Sequence, residues 1–167
     1  IQIMQIFSDN INPLRDQIIQ WKEDGNTIGF APTMGNLHDG HLSLVRGLKK
    51  NGATKIIVSI FVNPRQFGPS EDFNQYPRTL KNDLELLEKE GVELVFCPEM
   101  NLMYPSHISS EIIIDNPKLM DDLCGKKRPG HFNGVLLVVN KLFNILQPDI
   151  AIFGQKDYQQ FILIKNM

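Results

Sequence analysis

The chain has 167 residues, 42% hydrophobic and 22% charged, which is ordinary globular composition and enough for one domain with a real core. Its formal net charge of −2 supplies no general pull on polyanions, which excludes nucleic acid as the main partner. Two cysteines, Cys97 and Cys124, are too few for a disulfide framework or a zinc knuckle and fit a reducing cytoplasm. No apolar run approaches the ~20 residues that span a bilayer and no signal peptide is visible, so no membrane partner is expected.

Residues 12–23 place Leu14, Ile18, Ile19 and Trp21 on roughly one helical face, with Gly25 as the stop. Residues 27–31 read as a strand, and residues 41–50 as a helix ending near Asn51 and Gly52. Residues 55–62 are rich in β-branched side chains, the pattern of a strand buried on both faces. Residues 63–76 read as loop. Residues 77–90 predict a helix with Leu80, Leu84 and Leu87 on one face, Pro77 in its first turn and Gly91 at its end. Strands are predicted over 92–97 and 111–114, a long apolar helix over 129–146, a strand over 150–153 and a helix from 156 onward. This alternation predicts an α/β domain with a mainly parallel sheet flanked by helices. At the ends, Met4 reads as the natural start with residues 1–3 a remnant. Residues 161–167 carry no Gly cap, Pro or polar tail, so the chain is expected to break off inside an element.

In such sheets ligands bind beyond the carboxyl ends of the strands. Three polar motifs follow predicted strands: residues 32–41, 63–67 and 154–157. The first holds Met34, Gly35, Asn36, Leu37, His38, Asp39, Gly40 and His41 between a strand and a helix start. There, backbone amides face an anion and the helix dipole favours negative charge. Imidazole N–H groups at that point suit charge building on the α-phosphate in nucleotidyl transfer, and Gly40 would let a nucleotide approach the backbone. Alone, two histidines around a glycine are also what a capped surface helix would show. Asn63 and Gln66 are uncharged hydrogen-bonders suited to hydroxyl or carboxylate groups, or simply members of a proline turn. In the third motif, Lys156 near a helix start suits a phosphate, with Gln160 one turn beyond on the same side. His131 opens the long helix as a second anion site or a structural histidine. Asp83 is a candidate magnesium contact, although one helical carboxylate is usually solvated. The segment from Gly125 to Gly130 has P-loop glycine spacing but lacks the Lys-Ser/Thr pair and follows no strand.

Taken together, five collinear motifs carry a resemblance. They are Pro32-Thr33-Met34-Gly35-x-Leu37-His38-x-Gly40-His41, Phe61-Val62-Asn63-Pro64-x-Gln66-Phe67, Tyr76-Pro77-Arg78-Thr79, Arg128-Pro129-Gly130-His131-Phe132, and the stretch from Lys141 to Gln160 containing Phe153-Gly154-x-Lys156-Asp157-x-Gln159-Gln160. In this order they resemble the pantothenate synthetase family over nearly the whole chain. The resemblance implies a Rossmann-like, nucleotidyltransferase-type domain and ATP-dependent condensation of pantoate with β-alanine through a pantoyl adenylate, with Mg2+. It implies ATP binding by residues 34–41 and by Gly154, Gln155, Lys156 and Asp157. His41, as proton donor, would stabilise phosphate charge with His38 and Lys156. Gln66, Gln160 and Asn63 would hold pantoate and β-alanine. A homodimer through this domain is also implied. Two departures stand out. Gln155 occupies a position where the family usually has Glu. No part of the chain matches the family's C-terminal lid domain, so an N-terminal domain with weak or no turnover of its own is expected. The competing readings are another nucleotidyltransferase acting on a phosphorylated acceptor, and a non-catalytic nucleotide-binding module.

Overall fold

In a computed structural model, residues 3–106 and 112–167 are described. The elements run β1 (Gln5–Phe7), α1 (Ile11–Glu23), β2 (Ile28–Thr33), α2 (Asp39–Lys50), β3 (Lys55–Ile60), α3 (Leu80–Lys89), β4 (Leu94–Phe96), α4 (Met100–Met103), α5 (Pro117–Met120), α6 (Leu123–Lys127), α7 (His131–Leu146), β5 (Ile150–Ala151) and α8 (Tyr158–Asn166). Two 3-10 turns, Pro64–Gln66 and Gln155–Asp157, follow β3 and precede α8. The five strands form one parallel sheet in the order β1-β4-β3-β2-β5.

Alternation along the strands explains the layers. Ile57 of β3 joins a core with Leu14, Ile18 and Trp21 of α1 and Val135, Leu142 and Leu146 of α7. Its neighbours Ile56 and Val58 face the other way, into a core with Leu42, Val45 and Leu48 of α2 and Leu87 of α3. Burying each such side chain is worth roughly 1.5–3 kcal/mol, so either face alone outweighs the local propensities of the strands it covers. Although β5 is only two residues long, it is well anchored. The Asp149 carboxylate accepts from Ile28 N at 2.7 Å, while Asp149 N donates to Ile28 O at 2.9 Å.

Several expected boundaries shift. The helix predicted from Pro77 begins at Leu80, after Thr79, whose hydroxyl donates to Asp83. Before it, Arg78 ties down the chain by donating to the carbonyls of Phe73, Asn74 and Tyr76. Of the strand expected over 111–114, Glu111 lies outside the described residues, and residues 112–114 are not in a strand. The edge strand β1 and the short helices α4, α5 and α6 gave no usable periodicity, being three to five residues long. Among the described residues no helix is long and apolar enough to cross a membrane.

Candidate active site

The strands β5, β2 and β3 are neighbours, so the segments that follow their carboxyl ends meet at one edge of the sheet. After β2, Gly35 and Asn36 both take positive φ, 79° and 53°. Two left-handed residues in succession cost least with Gly in one of them and Asn in the other. They turn the chain back under itself before α2 begins.

His38 is the N-cap of α2. Its Nδ1 accepts from Gly40 N at 3.0 Å, and the Nδ1 of His41 accepts from His38 N at 3.3 Å. This is a capping box built from imidazoles instead of Ser and Glu. Backbone N–H groups can only donate, so both Nδ1 atoms are acceptors and a neutral ring carries its proton on Nε2. The rings lie together, centroids 4.1 Å apart. One turn of helix therefore presents two Nε2–H donors side by side.

This geometry revises two expectations. The backbone amides of Gly35, Asn36, Leu37, His38 and Gly40 are already taken by protein groups and are not free to cradle an anion. Gly35 N donates to Thr33 Oγ1, Asn36 N and Leu37 N donate to Asp83, and His38 N and Gly40 N donate to the histidines. The two imidazole Nε2–H groups are side-chain donors that this turn still offers. Gly40 is also required for a reason internal to the protein. A Cβ there would lie 2.7 Å from His38 Cε1 and 2.9 Å from its Nδ1, so only glycine lets the ring fold over the helix start. Within the expected nucleotide-binding set, Leu37 is a core side chain, and Asp39 is ion-paired with Arg46 at 3.1 Å.

Asp83 has a different task from the magnesium contact expected of it. It is 1% exposed on the first turn of α3. Its Oδ1 accepts from Leu37 N at 2.9 Å, and its Oδ2 accepts from Asn36 N and from Thr79 Oγ1, both at 3.0 Å. The carboxylate thus clamps the histidine-bearing turn to α3. Among the described residues no group of three or more His, Cys, Asp or Glu side chains is placed to hold a metal. Among the described residues, the groups present do not fit a resident magnesium site.

Asn63, read from sequence as a substrate contact, is 1% exposed and fully engaged. Its Nδ2 donates to Gln66 Oε1 and to Gly134 O, both at 3.0 Å, and its Oδ1 accepts from Arg65 N at 3.2 Å and Tyr104 Oη at 2.8 Å. Tyr104 and Gly134 were not singled out from sequence. A glycine inside the long apolar helix was the available signal. Both ring nitrogens of His131 have protein partners. Arg128 can only donate, so His131 Nε2 accepts from it at 3.1 Å and Nδ1–H donates to Gln66 O at 2.8 Å. Glu71 continues the chain, bonding Arg128 Nη2 at 2.5 Å and Gly68 N at 2.8 Å. The loop after β3 is thereby tied to the start of α7.

After β5, Gln155, Lys156 and Asp157 are exposed on their 3-10 turn, and Gly154 has open space where a Cβ would be. Lys156, Asp157 and Gln160 line a cavity of about 480 Å3 with Arg128, His131 and Phe132. Its polar groups include three cations, Lys118, Arg128 and Lys156, and Phe132 supplies an apolar wall. His38, His41 and Gln66 are not among its walls. Gln159 also lines the cavity, but its amide is taken by the protein: it donates to Leu119 O and Asp122 O and accepts from Cys124 N, which pins α5 and α6 to α8.

Burial pushes both His41 and His131 below the ordinary imidazole value, with His38 adding to the effect on His41 and Arg128 to that on His131. The bond to Gln66 O opposes the shift at His131, as Asp83 does at His41. Unfolded imidazoles titrate near 6.5, so on acidification the unfolded chain binds protons first. This part of the stability is complete above about pH 6.5 and is lost as pH falls through the folded values. A melting temperature that drops between pH 7.5 and pH 5.5 is expected from thermal scans. Glu71, held low chiefly by Gly68 N–H, acts only at more acid pH. A flat profile over that interval would contradict the assigned burial of the two rings.

Comparison with known proteins places this geometry. The sequence model of the family described as Pantoate-beta-alanine ligase matches residues 6–167. The chain is 50% identical over 162 residues to a pantothenate synthetase of Shewanella piezotolerans, covering 97% of this chain and 57% of that protein. It is 56% identical over 162 residues to one of Thermoanaerobacter sp., covering 97% of this chain and 56% of that protein. The crystal structure of pantothenate synthetase from Thermus thermophilus superposes with a TM-score of 0.87 at 41% identity, covering 98% of this chain and 56% of that one. A pantoate-beta-alanine ligase from Francisella tularensis, complexed with beta-gamma ATP and beta-alanine, superposes with a TM-score of 0.85 at 40% identity, covering 98% of this chain and 61% of that one. The chain therefore spans little more than half the length of these relatives.

Proposed function

The chain belongs to the pantoate-beta-alanine ligase family, and from that premise we propose that it is the nucleotide- and pantoate-binding domain of an ATP-dependent ligase. That enzyme joins pantoate to β-alanine through a pantoyl adenylate. The observation that carries this reading is the imidazole capping box, which aims two Nε2–H donors outward from one helix start. A carboxylate oxygen of pantoate attacks the α-phosphorus of ATP, and the bond to the β-phosphate oxygen breaks, releasing pyrophosphate. His41 and His38 donate to the phosphate oxygens where charge accumulates, and Lys156 supplies a cation from the neighbouring strand end. The β-alanine amine then attacks the acyl carbon, and AMP leaves with the bonding electron pair. Adenylation supplies the leaving group that a free carboxylate lacks. The protein contributes orientation and fixed donors.

In this reading residues 34–41 and 154–157 meet ATP, while Gln66 and Gln160 meet the hydroxy-acid. Asn63 is reassigned from contact to support. Mg2+ would be held by the triphosphate rather than by Asp83, whose oxygens already accept from the turn. The same reading carries a homodimer and a cytoplasmic setting. Sedimentation of the chain as a monomer would remove the first.

The test is pantoate-dependent exchange of labelled pyrophosphate into ATP, measured on a version of full relative length and on its His41→Ala variant. Loss of one oxyanion-type donor is expected to lower exchange about 100-fold or more with the fold intact. Unchanged exchange would take His41 out of the chemistry. Exchange supported by a phosphorylated acceptor and not by pantoate would favour the other nucleotidyltransferase reading. The 167-residue chain alone is expected to turn over little, and steady pantothenate formation at the rate of a longer relative would overturn that expectation.

A further inference from the structure

The Asn63 side chain cannot be turned over. Arg65 N–H only donates, so the atom facing it is Oδ1. Gly134 C=O only accepts, so the atom facing it is Nδ2. Both are backbone groups, and their polarity is unalterable. The remaining Nδ2 proton points at the Gln66 side chain 3.0 Å away, where only an oxygen can receive it. Gln66 Oε1 is therefore drawn inward, and its Nε2 is left without a partner among the described residues. Tyr104 Oη must donate to Asn63 Oδ1, and burial pushes its phenol up to about 12, so it keeps its proton at any working pH.

We infer that Asn63, oriented by the backbone of Arg65 and Gly134, sets the direction of the Gln66 amide and thereby makes the proposed pantoate site select an acid over its isosteric amide. This deepens the proposed function and rests on it. Gln66 offers two N–H donors, which pair with carboxylate or hydroxyl oxygens. A primary amide placed in the same way would turn its own N–H groups toward them. Asn63 is thus a positioning residue for specificity, acting through Gln66 without touching substrate.

Calorimetric titration of the chain with pantoate and with pantoamide, its primary amide, reads this selectivity. The unaltered chain is expected to bind pantoate about tenfold or more tightly than pantoamide, the difference a charge-assisted hydrogen bond makes. Asn63→Asp replaces the donor by an acceptor oxygen, which draws Gln66 Nε2 inward and turns Oε1 to the proposed pantoate site. The ratio should then fall to about one or invert. An unchanged ratio in a folded Asn63→Asp chain overturns the inference. That new oxygen also opposes the Gly134 carbonyl, so a measurement on the unaltered chain stands beside it. In 15N NMR the side-chain amide protons of Asn63 should exchange slowly, and those of Gln66 should exchange fast and shift on adding pantoate. Protected Gln66 protons in the free chain would overturn the assignment of direction. Fast Gln66 exchange with no pantoate binding would instead overturn the substrate reading, and the selectivity with it.

Discussion

Replacing Asp83 with alanine is expected to lower the unfolding free energy by about 3–5 kcal/mol and to free the histidine-bearing turn. The magnitude follows from what the carboxylate holds. Two backbone donors, Asn36 N and Leu37 N, would lose their acceptor, one of them in a buried bond, and Thr79 Oγ1 would lose its partner as well. Each buried donor left unmade costs about 1–3 kcal/mol. The turn also contains the left-handed Gly35 and Asn36, which the carboxylate over-determines. Urea denaturation gives the stability change, and amide exchange at Asn36 and Leu37 locates it. Asp83→Asn, which keeps one acceptor oxygen, should lose about half as much. A change below about 1 kcal/mol with unaltered exchange at both amides would show that the clamp does not hold the turn.

Gly134→Ala should be comparably severe, although alanine is the better helix former. A Cβ at this position would sit 2.1 Å from Arg65 O and 2.6 Å from Gln66 N. These are backbone atoms, so no rotamer change relieves the overlap, and α7 must lift from the turn after β3. Helix propensity favours alanine over glycine by about 1 kcal/mol. Forcing an extra carbon into a closed contact costs about 1–3 kcal/mol or more, and the bond from Asn63 Nδ2 to Gly134 O is lost with it. A net loss of about 3 kcal/mol is expected in urea denaturation, together with weakened pantoate binding. A variant more stable than the parent would mean that α7 and the turn separate freely, against the contact described.

Much of the architecture is local and could be read without coordinates. The β-branched run at 55–62 contains β3, the residues around Leu42, Val45 and Leu48 form α2, and the apolar stretch before Pro148 is α7. Periodicity and turn chemistry act between residues a few positions apart, so they leave a mark on the sequence. The same holds for the ordering of the motifs behind β2, β3 and β5, since a parallel sheet delivers such segments to one edge. Short elements such as β1 and α4 carry too few residues for a period to show.

Partner choice was not legible. His38, Asp39, Gly40 and His41 pointed to an anion site, but which atoms would face the anion depended on where the backbone amides found acceptors. Asp83 takes Leu37 N across 46 positions, and Asn63 reaches Gly134 across 71. Residue types with several possible hydrogen-bond roles have those roles assigned only when distant chain segments close around them. Residue identity and spacing therefore determined the sheet and the order of the motifs that follow its strands. The tertiary structure alone decided which amides of the histidine turn are already taken, that both histidine Nδ1 atoms accept, that Asp83 and Asn63 hold others in place, and which end of Gln66 Asn63 draws inward. Once a polar group is buried, every donor and acceptor around it must be matched, and that matching is a property of the whole enclosure.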